Sequence, residues 1–579
     1  MKIKHLFGLA VIAAMTASCS SNEDLGTAGP GTGTNETGVG YATFSINLPT
    51  TSGTRAAGDP TFDHGSDYEY KVNDATLLIF KQGKATKEGD YTFVESAELG
   101  SMAPWKDPSE PGVTTHAKIT AKLENVDKTD GYYALVLLNN GTGTKAKVAL
   151  PTTPTTEGEG MKFSDWNAAA NAKDIANYTN GFYMANAPLF KDNKVTTLVA
   201  INKDNIYPTE EQAAKGTATD IYVERGLAKV TLKTGKAATG NTDDNYTVTG
   251  VTYKGDKVTI KNWALDVTNT KTFPIHNVDG LSDDYTNIWT NTDTPAGSNG
   301  ANTQRFVDNN KDTKAKRVYW GKDPNYDNTA DDKTALNAEF NNVANKDVTA
   351  EPTTSLYCLE NTFNLANMKQ GQTTRVVFKA KYIPNGIAEN TNFYKIGKNT
   401  AIWNEDNLVK EIKAAVASVV PGATIDNTTV KLDKITAAGT HYITADNIIV
   451  KTSETETATI DKDQITAINT QLGLNESKKV GISTYAGGES YYIARIKHFG
   501  DDLTKWKSGT YGENNLEYLG RYGVLRNNWY VLTVQSVSGP GYPSVPEVKP
   551  NTPDDEDDNY INVSVKILDW AKRSQDVNL

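Results

Sequence analysis

Tyr41-Ala-Thr-Phe-Ser-Ile-Asn-Leu48 alternates apolar and polar residues near the start of the chain. Successive side chains of an extended strand point to opposite faces, so the pattern predicts a β-strand with Phe44, Ile46 and Leu48 on one apolar face. A lone basic residue, Arg55, follows in the small and flexible context Ser52-Gly-Thr-Arg-Ala-Ala-Gly58. The sequence thus predicts a strand followed by an exposed segment, in which Arg55 on its own is better explained as a surface arginine of a loop than as a site for proteolysis.

The stretch Ile561-Asn-Val-Ser-Val-Lys-Ile-Leu-Asp-Trp570 alternates in the same way near the other end. Four apolar residues share one face of this predicted strand: Ile561, Val563, Val565 and Ile567. An acidic, proline-bearing linker, Pro543 to Asp558, precedes the strand, and we expect it to stay solvated and hold the strand away from the body. The first strand could then be cut off and this one could replace it in a neighbouring copy. The pattern alone fits equally well an ordinary linker before a terminal strand of the same sandwich.

The composition favours strands and turns over long helices. The chain has 579 residues, with 28 Tyr against 6 Met, and Thr, Asn and Gly are abundant. Its length indicates more than one domain. We expect a mainly β fold of two tandem β-sandwich domains, of transthyretin-like or Greek-key type, with long loops and a few short helices. The net charge of −11 and the absence of a basic stripe argue against nucleic acid as a partner.

The first residues have the features of a secretory signal. Residues 1–18 begin with basic residues, continue with an apolar run from Leu6 to Met15 and end in small residues before Cys19. The run is too short to cross a bilayer permanently. Thr16-Ala-Ser-Cys19 resembles a lipoprotein cleavage box, which predicts acylation (palmitate) at Cys19. Thr16 stands where Leu is more usual, so the alternative is a signal peptide with a chance cysteine. Cys358 is then predicted to be a free, buried thiol.

The predicted organisation has four parts after the leader. Residues 19–55 form a propeptide with a tether and the first strand, and 56–220 form an N-terminal β-sandwich domain. Residues 221–542 form a C-terminal β-sandwich domain, which opens on a long strand signal from Ile221 to Leu232. Residues 543–579 form the linker and the C-terminal strand.

Shorter patterns lie within this frame. Apolar residues at helical spacing predict a small inserted helix from Asn404 to Val420, ended by Pro421, and Trp166 to Tyr178 could form another short helix. Residues 278–350 are polar, and we expect long loops on the β scaffold at 278–350 and at 450–480. Strand patterns recur at 75–80, 91–94, 132–138, 428–432, 447–451, 490–496 and 529–534.

The sequence offers no constellation for catalysis or metal binding. The six histidines are scattered without metal-ligand spacing. No CxxC, phosphate-binding loop or nucleophile-elbow motif is present. The acidic run Asp554 to Asp558 lacks the glycine turn of a calcium loop and is predicted to be solvated. We therefore predict no catalytic residues, no metal, no cofactor and no enzymatic activity.

Three further residue pairs have a structural interpretation that outweighs the functional one. Tyr491-Tyr492 and Trp529-Tyr530 could stack on sugars, but their place in predicted strands favours core packing. Glu224-Arg225 is predicted to be a buried, structural pair at the domain boundary.

Several short stretches, taken together, resemble the fimbrillins of Bacteroidales, especially the major shaft subunit of the minor-fimbrium (Mfa) type. They occur in family order over nearly the whole chain, and their joint order is more specific than any one of them. The stretches are Cys19, Gly53-Thr-Arg-Ala-Ala57, Val223-Glu-Arg-Gly-Leu-Ala-Lys-Val230, Tyr357-Cys-Leu-Glu-Asn-Thr362, Tyr522-Gly-Val-Leu-Arg-Asn-Asn-Trp-Tyr530 and Ile561 to Trp570.

The resemblance implies a lipoprotein precursor on the outer membrane that a trypsin-like protease cuts between Arg55 and Ala56. Cleavage would remove the lipid together with the strand that carries Phe44, Ile46 and Leu48. Donor-strand exchange with the C-terminal strand of a neighbour, up to Trp570, would then build a homopolymer. The implied function is that of a structural shaft subunit of a cell-surface fimbrium, which supports adhesion together with anchor and tip subunits.

Other interpretations stay open. A subunit that retained its lipid would be a fimbrial anchor. A surface glycan-binding lipoprotein would need an aromatic platform on a loop and, in its commonest form, many helical repeats, and the sequence suggests neither. A secreted β-sandwich hydrolase would need paired carboxylates or a nucleophile with its base, which no segment proposes.

Overall fold

A computed structural model of the chain describes residues 30–49, 66–101, 113–127, 129–152, 160–168, 172–191, 194–233, 245–248, 250–280, 316–318, 320–498, 518–554 and 561–569. Cys19, Arg55, Ala56 and Trp570 lie outside the described residues, as does the leader. The predictions on lipidation, on proteolysis and on Trp570 therefore stay predictions. No helix within the described ranges is both long enough and apolar enough to cross a membrane.

The part of the chain before Gly226 is built mainly from strands. Its short helices are α1 (Asp67–Tyr70), α2 (Phe163–Ala168) and α3 (Glu210–Lys215). Its strands are β1 (Gly40–Pro49), β2 (Ala75–Lys81), β3 (Thr92–Glu98), β4 (Val113–Leu123), β5 (Tyr132–Leu138), β6 (Met184–Asn186), β7 (Leu189–Lys191), β8 (Lys194–Thr196), β9 (Val199–Ile201) and β10 (Thr219–Arg225).

One sheet organises this first part. Its strands follow the order β3-β2-β5-β6-β10-β1-β4, and β9 pairs with β5. Strands β2 and β5 are apolar and buried along almost their whole length, because both faces of the sheet are covered. Phe163 and Trp166 of α2 pack into the same core. The core therefore runs from β1 to α2 through the middle of the sheet.

The part after Gly226 is also mainly β. Its helices are α4 (Lys333–Glu339), α5 (Glu405–Val419) and α6 (Lys462–Gln471). Its strands are β11 (Leu227–Leu232), β12 (Asn245–Thr247), β13 (Lys257–Asp266), β14 (Thr268–Asn269), β15 (Lys316–Arg317), β16 (Phe340–Asn341), β17 (Leu356–Leu359), β18 (Arg375–Ile383), β19 (Phe393–Ile396), β20 (Thr428–Val430), β21 (Gly439–His441), β22 (Ile448–Val450), β23 (Ile482–Tyr485), β24 (Glu489–Arg495), β25 (Asn528–Val537) and β26 (Ile561–Asp569).

Two of the sheets in this part face each other. One has the order β17-β11-β25-β26 and the other β12-β13-β18-β24. Val230 and Tyr530 of the first sheet share a core with Trp263, Phe378 and Tyr492 of the second. This arrangement is a β-sandwich, and the predicted mainly β fold is confirmed.

The long strand predicted from Ile221 to Leu232 connects the two parts. It runs as β10 in the first sheet and as β11 in the second, with Gly226 between them. Gly226 donates its N–H to the Tyr183 carbonyl oxygen at 2.9 Å. A Cβ at this position would lie 2.8 Å from the Ile175 side chain, so glycine allows the close approach. The chain passes from the first sheet to the second at Gly226. The sequence predicts the start of the second domain at residue 221, within the same long strand.

A third compact unit, the insertion unit, spans residues 393–485 between β18 and β24. The predicted helix is present as α5, and the Asn404 side chain caps it by accepting the Asn407 N–H at 2.9 Å. Leu408, Ile412 and Val416 of α5 enter a separate core that also contains Ile468 of α6. The expectation of a loop at 450–480 is therefore wrong, because α6 lies within it, and the separate core was not predicted. The other short helix also differs, because α2 covers Phe163–Ala168 rather than Trp166 to Tyr178.

Candidate strand-exchange site

Strand β1 lies inside the first sheet and has a partner on each side. It pairs antiparallel with β4 from Gly40↔Leu123 onward. On its other side it pairs parallel with β10, from Phe44↔Thr219 to Asn47↔Tyr222. Removing β1 would therefore leave two rows of backbone hydrogen-bonding groups without partners.

The apolar face of β1 fills the core of the first sheet. Ala42, Phe44 and Ile46 are fully buried, and Leu48 is 1% exposed. Three of these are the residues that the alternation of the sequence placed on one face. Loss of β1 would open an apolar groove as long as the strand.

The other face of β1 is covered by α3. The Thr43 hydroxyl donates to the carbonyl oxygen of Ala213 in α3 at 2.7 Å. Ahead of the strand, Gly33 donates its N–H to the Ile206 carbonyl oxygen at 3.0 Å, and within β1 Tyr41 donates its N–H to the Tyr207 carbonyl oxygen at 2.7 Å. Residues 31–49 are thus bound as one continuous piece.

The C-terminal strand β26 has a different position, at the edge of its sheet. It pairs antiparallel with β25 from Asn528↔Asp569 to Val537↔Ile561. Within the described residues no strand lies on its other side. In this structure β26 therefore completes the sandwich of its own chain, and it could leave while β25 keeps its second neighbour, β11.

Residues 542–554, which we call the C-terminal strap, are bound to the body. The Arg375 guanidinium donates to the Pro546 carbonyl oxygen at 2.6 Å and also pairs with Asp266 at 2.8 Å. Asp554 is fully buried and accepts the Thr373 hydroxyl at 3.0 Å. The prediction of a solvated linker is therefore wrong as far as Asp554, because partners distant in sequence bind its carbonyl and carboxylate groups. Residues 555–558 of the acidic run lie outside the described residues.

One exposed residue joins the strap to two other elements. The Glu547 carboxylate lies 3.1 Å from Lys333 Nζ of α4 and 2.6 Å from Lys479 Nζ of the insertion unit. Hydrogen bonds from Lys479 and Lys333 lower the pKa of Glu547. Exposed pairs of this kind contribute little stability each. They nevertheless fix the path of the strap between α4 and the insertion unit.

Buried charges lie where β10 becomes β11. Lys229 Nζ is 2.7 Å from Glu69 Oε1 and 3.7 Å from the centre of the Trp529 ring. The Tyr357 hydroxyl donates to the same Glu69 carboxylate. Arg225 donates from Nε to the Glu69 carbonyl oxygen at 2.9 Å. These contacts tie α1 to both sheets where β10 passes into β11.

Glu224 and Arg225 are both buried, as predicted, but they do not act as one pair. Adjacent side chains of a strand point to opposite faces. Glu224 accordingly meets His276 Nδ1 at 2.9 Å, on the face away from the contacts of Arg225 with Glu69. The two residues join β10 to different neighbours.

Other sequence-predicted residues lie in cores. Tyr491, Tyr492 and Tyr530 are buried, and the Tyr492 hydroxyl donates to the Gly539 carbonyl oxygen at 2.9 Å. Core packing of these aromatic residues is confirmed. Cys358 is a buried free thiol, also as predicted, and burial raises its pKa to about 12. Over the described ranges, no group of three or more His, Cys, Asp or Glu residues could hold a metal ion.

A comparison with protein families identifies a match to part of the chain. Residues 483–576 match the family described as major fimbrial subunit protein type IV, fimbrillin, C-terminal. The matched segment contains β24, β25, the strap and β26. The resemblance to fimbrillins that the short motifs predicted is thus confirmed in this segment. The search of curated proteins found no relative.

Solved structures also match, at low sequence identity. A candidate cell adhesion protein from Parabacteroides distasonis ATCC 8503 is 10% identical, with 92% of this chain and 98% of that chain covered and a TM-score of 0.38. Another from Bacteroides eggerthii DSM 20697 is 11% identical, with coverages of 94% and 98% and a TM-score of 0.32. The tip fimbrial protein Mfa3 from Porphyromonas gingivalis, with C-terminal truncation, is 10% identical, with coverages of 92% and 100% and a TM-score of 0.26. All three TM-scores are below 0.5.

Proposed function

We propose that this chain, which carries a fimbrillin C-terminal region at residues 483–576, is a structural shaft subunit of a cell-surface fimbrium. The observation that carries the proposal is the family match over a segment that ends in an edge strand. The contrast between β1, which has two neighbours, and β26, which has one, supports assembly by exchange of strands. Its role would be structural, without catalysis or a cofactor.

The precursor would be exported as a lipoprotein acylated at Cys19 and held at the outer membrane. A trypsin-like protease would then cut between Arg55 and Ala56. The cut would release the lipid together with β1, since both precede Arg55. The groove that Phe44, Ile46 and Leu48 fill in the precursor would become available to a neighbouring subunit.

The C-terminal strand of that neighbour matches the groove in length and pattern. Strand β26 has 9 residues and β1 has 10. In the sequence, Ile561, Val563, Val565 and Ile567 alternate as the buried residues of β1 do. The donor strand would restore both rows of hydrogen bonds and refill the apolar groove.

The energy of such a joint is ample. About ten backbone hydrogen bonds would contribute about 0.5–1.5 kcal/mol each. Four buried apolar side chains would add about 1.5–3 kcal/mol each. The donor also loses its pairing with β25, and ordering costs oppose association. Because β26 exchanges one strand neighbour for two, the balance favours the polymer.

The experiment is limited trypsin treatment of the full chain, followed by gel analysis and mass spectrometry of the new N-terminus. A shaft subunit gives ladders of SDS-resistant oligomers whose subunits begin at Ala56. A chain that ends before Tyr560 is the control and stays monomeric after the same cut. A trimmed but monomeric full-length product would contradict the proposal, and an intact lipid in the native polymer would indicate an anchor subunit instead.

A further inference from the structure

An aromatic cluster, which we call the junction patch, is exposed where the two sheets meet. Tyr68 is 50% exposed and Tyr178 is 39% exposed, whereas Phe182 beneath them is fully buried. The Tyr178 ring stacks on Phe182 at 5.1 Å and lies 4.7 Å from the Tyr357 ring. The Tyr68 and Tyr357 hydroxyl oxygens are 2.7 Å apart. Three separate segments thus place aromatic surface in contact with solvent, as binding surfaces do.

The junction patch lies beyond the C-terminal end of β1. Asn47 of β1 faces Tyr222 of β10, and three residues further along β10 Arg225 donates to the Glu69 carbonyl oxygen. Three residues of strand advance by about 10 Å. A chain that continued past Pro49 would therefore reach α1, which carries Tyr68, within a few residues.

A chain in the place of β1 cannot continue straight past the junction. Asn527, just before β25, donates its N–H to the Leu227 carbonyl oxygen at 2.8 Å and accepts the Arg225 N–H at 3.2 Å. The region before β25 thus occupies the line that β1 would follow along the β10–β11 strand. Any residues that follow a strand in the β1 position must turn out of the sheet at the junction.

We infer that the junction patch receives Trp570 and the tail 571–579 of the neighbouring subunit, whose C-terminal strand runs in the direction of β1. The inference rests on the proposed function. When Ile561 to Ile567 take the places of Ala42 to Leu48, Asp569 falls just past Pro49 and Trp570 comes next. Ten residues, Trp570 to Leu579, then extend past the end of the groove.

The aromatic rings of the junction patch suit a tail that carries Trp570. Tryptophan buries more apolar surface than any other residue type and packs on tyrosine rings by offset or edge-to-face contacts. Apart from Trp570, the tail is mostly polar, so the tryptophan is its natural anchor. A donor strand running the other way would instead place Trp570 near Asp204, at the opposite end of β1.

The test places a photo-crosslinking amino acid, p-benzoylphenylalanine, at position 178 of the full chain, which is then matured with trypsin. Matched variants carry it at Asp204 and at Ile425, which is 51% exposed on the insertion unit. We expect oligomers in which position 178 links to a peptide containing Trp570 from a second copy. Links from Asp204 to that peptide, equal linking from Ile425, or no C-terminal peptide at 178 would each overturn the inference.

A second variant tests the energetic role of the anchor. Trp570→Ala keeps the donor strand and should still form oligomers, but these should dissociate in mild SDS at least about tenfold faster. Val251→Ala, at a position that is 96% exposed and lies outside the junction patch, is the matched control and should behave like the unchanged chain. Equal dissociation of both variants would contradict the inference while leaving strand exchange intact. Failure of the unchanged chain to form any ladder would instead count against the proposed function.

Discussion

Thr373 donates its hydroxyl hydrogen to the fully buried Asp554 carboxylate at 3.0 Å, at the last described position of the C-terminal strap. This contact fixes the chain to the body seven residues before β26 begins at Ile561. A donated strand would therefore start from a defined place on its own subunit. Such a fixed origin favours regular spacing of subunits in a polymer.

Loss of the Asp554 anchor should loosen the strap. Asp554→Ala leaves the Thr373 hydroxyl with the Lys369 carbonyl oxygen, 2.8 Å away, as its acceptor, so we expect the free energy of unfolding to fall by about 0.5–1.5 kcal/mol. Denaturant unfolding of the precursor measures this free energy. Thr373→Val and the double variant complete the cycle, and the two changes should be strongly non-additive because they remove one interaction. Simple additivity would show that the contact does not couple the strap to the body.

A substitution on the buried face of β1 should lower the stability of the precursor and leave that of the mature polymer unchanged. Phe44→Ala should destabilise the precursor by about 3–5 kcal/mol, because it leaves a cavity in a core that is fully buried. The mature polymer should be unaffected, since β1 has been cut away. Thermal unfolding before and after trypsin treatment measures the stability of the precursor and that of the polymer. Ser45→Ala, on the other face, is the control, and equal destabilisation of precursor and polymer by Phe44→Ala would contradict removal of β1.

A charge on the apolar face of the C-terminal strand should block polymerisation. Val565→Asp would bring a carboxylate into the groove of the neighbour, which is unfavourable without a partner. The precursor should keep its fold, because β25 retains its other neighbour, β11, when β26 detaches. The ladder on a gel measures assembly, and circular dichroism measures folding. Ser564→Asp, on the opposite face by alternation, should assemble much better; equal loss of assembly in both variants would contradict the assigned face.

Asp323 should make stability depend on pH. Burial raises the pKa of its carboxyl group from 3.8 to about 7. Between these values the folded state keeps a proton that the unfolded state loses, so this group favours folding at low pH and loses that contribution as the pH rises to about 7. The loss is at most about 1.4 kcal/mol per pH unit.

Asp323→Asn removes this titration, so the free energy of unfolding of the variant should rise relative to the unchanged chain between pH 4 and 7. Urea unfolding at several pH values measures the difference. Asp433→Asn, at an exposed position, controls for the loss of one carboxylate. A difference between Asp323→Asn and the unchanged chain that does not vary with pH would contradict the raised pKa.

The sequence predicted those parts of the fold that depend on local pattern. The period-two alternation of Phe44, Ile46 and Leu48 indicated β1, and Leu408 and Ile412 at helical spacing after the cap Asn404 indicated α5. The neighbours of each strand could not be predicted, because a pair such as Asn47 and Tyr222 joins residues far apart in sequence. Local pattern contains no information about such partners.

Two features escaped sequence analysis for the same reason. The prolines and acidic residues of the strap have the composition of a solvated linker, yet Arg375 and Thr373 bind it from a distant part of the chain. The junction patch combines Tyr68, Tyr178 and Tyr357, which only the fold brings together. Helix α6 was missed because Ile468 is its only buried residue, so its apolar pattern is weak.

The most direct test of strand exchange mixes two variants that can each play only one role. A chain with Arg55→Ala keeps β1 and can only donate, whereas a trypsin-matured chain ending before Tyr560 can only accept. Neither should assemble alone, and their mixture should give a one-to-one complex, with no larger species, by size-exclusion chromatography with light scattering. A mixture that stays monomeric would contradict the account, and so would assembly of either variant alone.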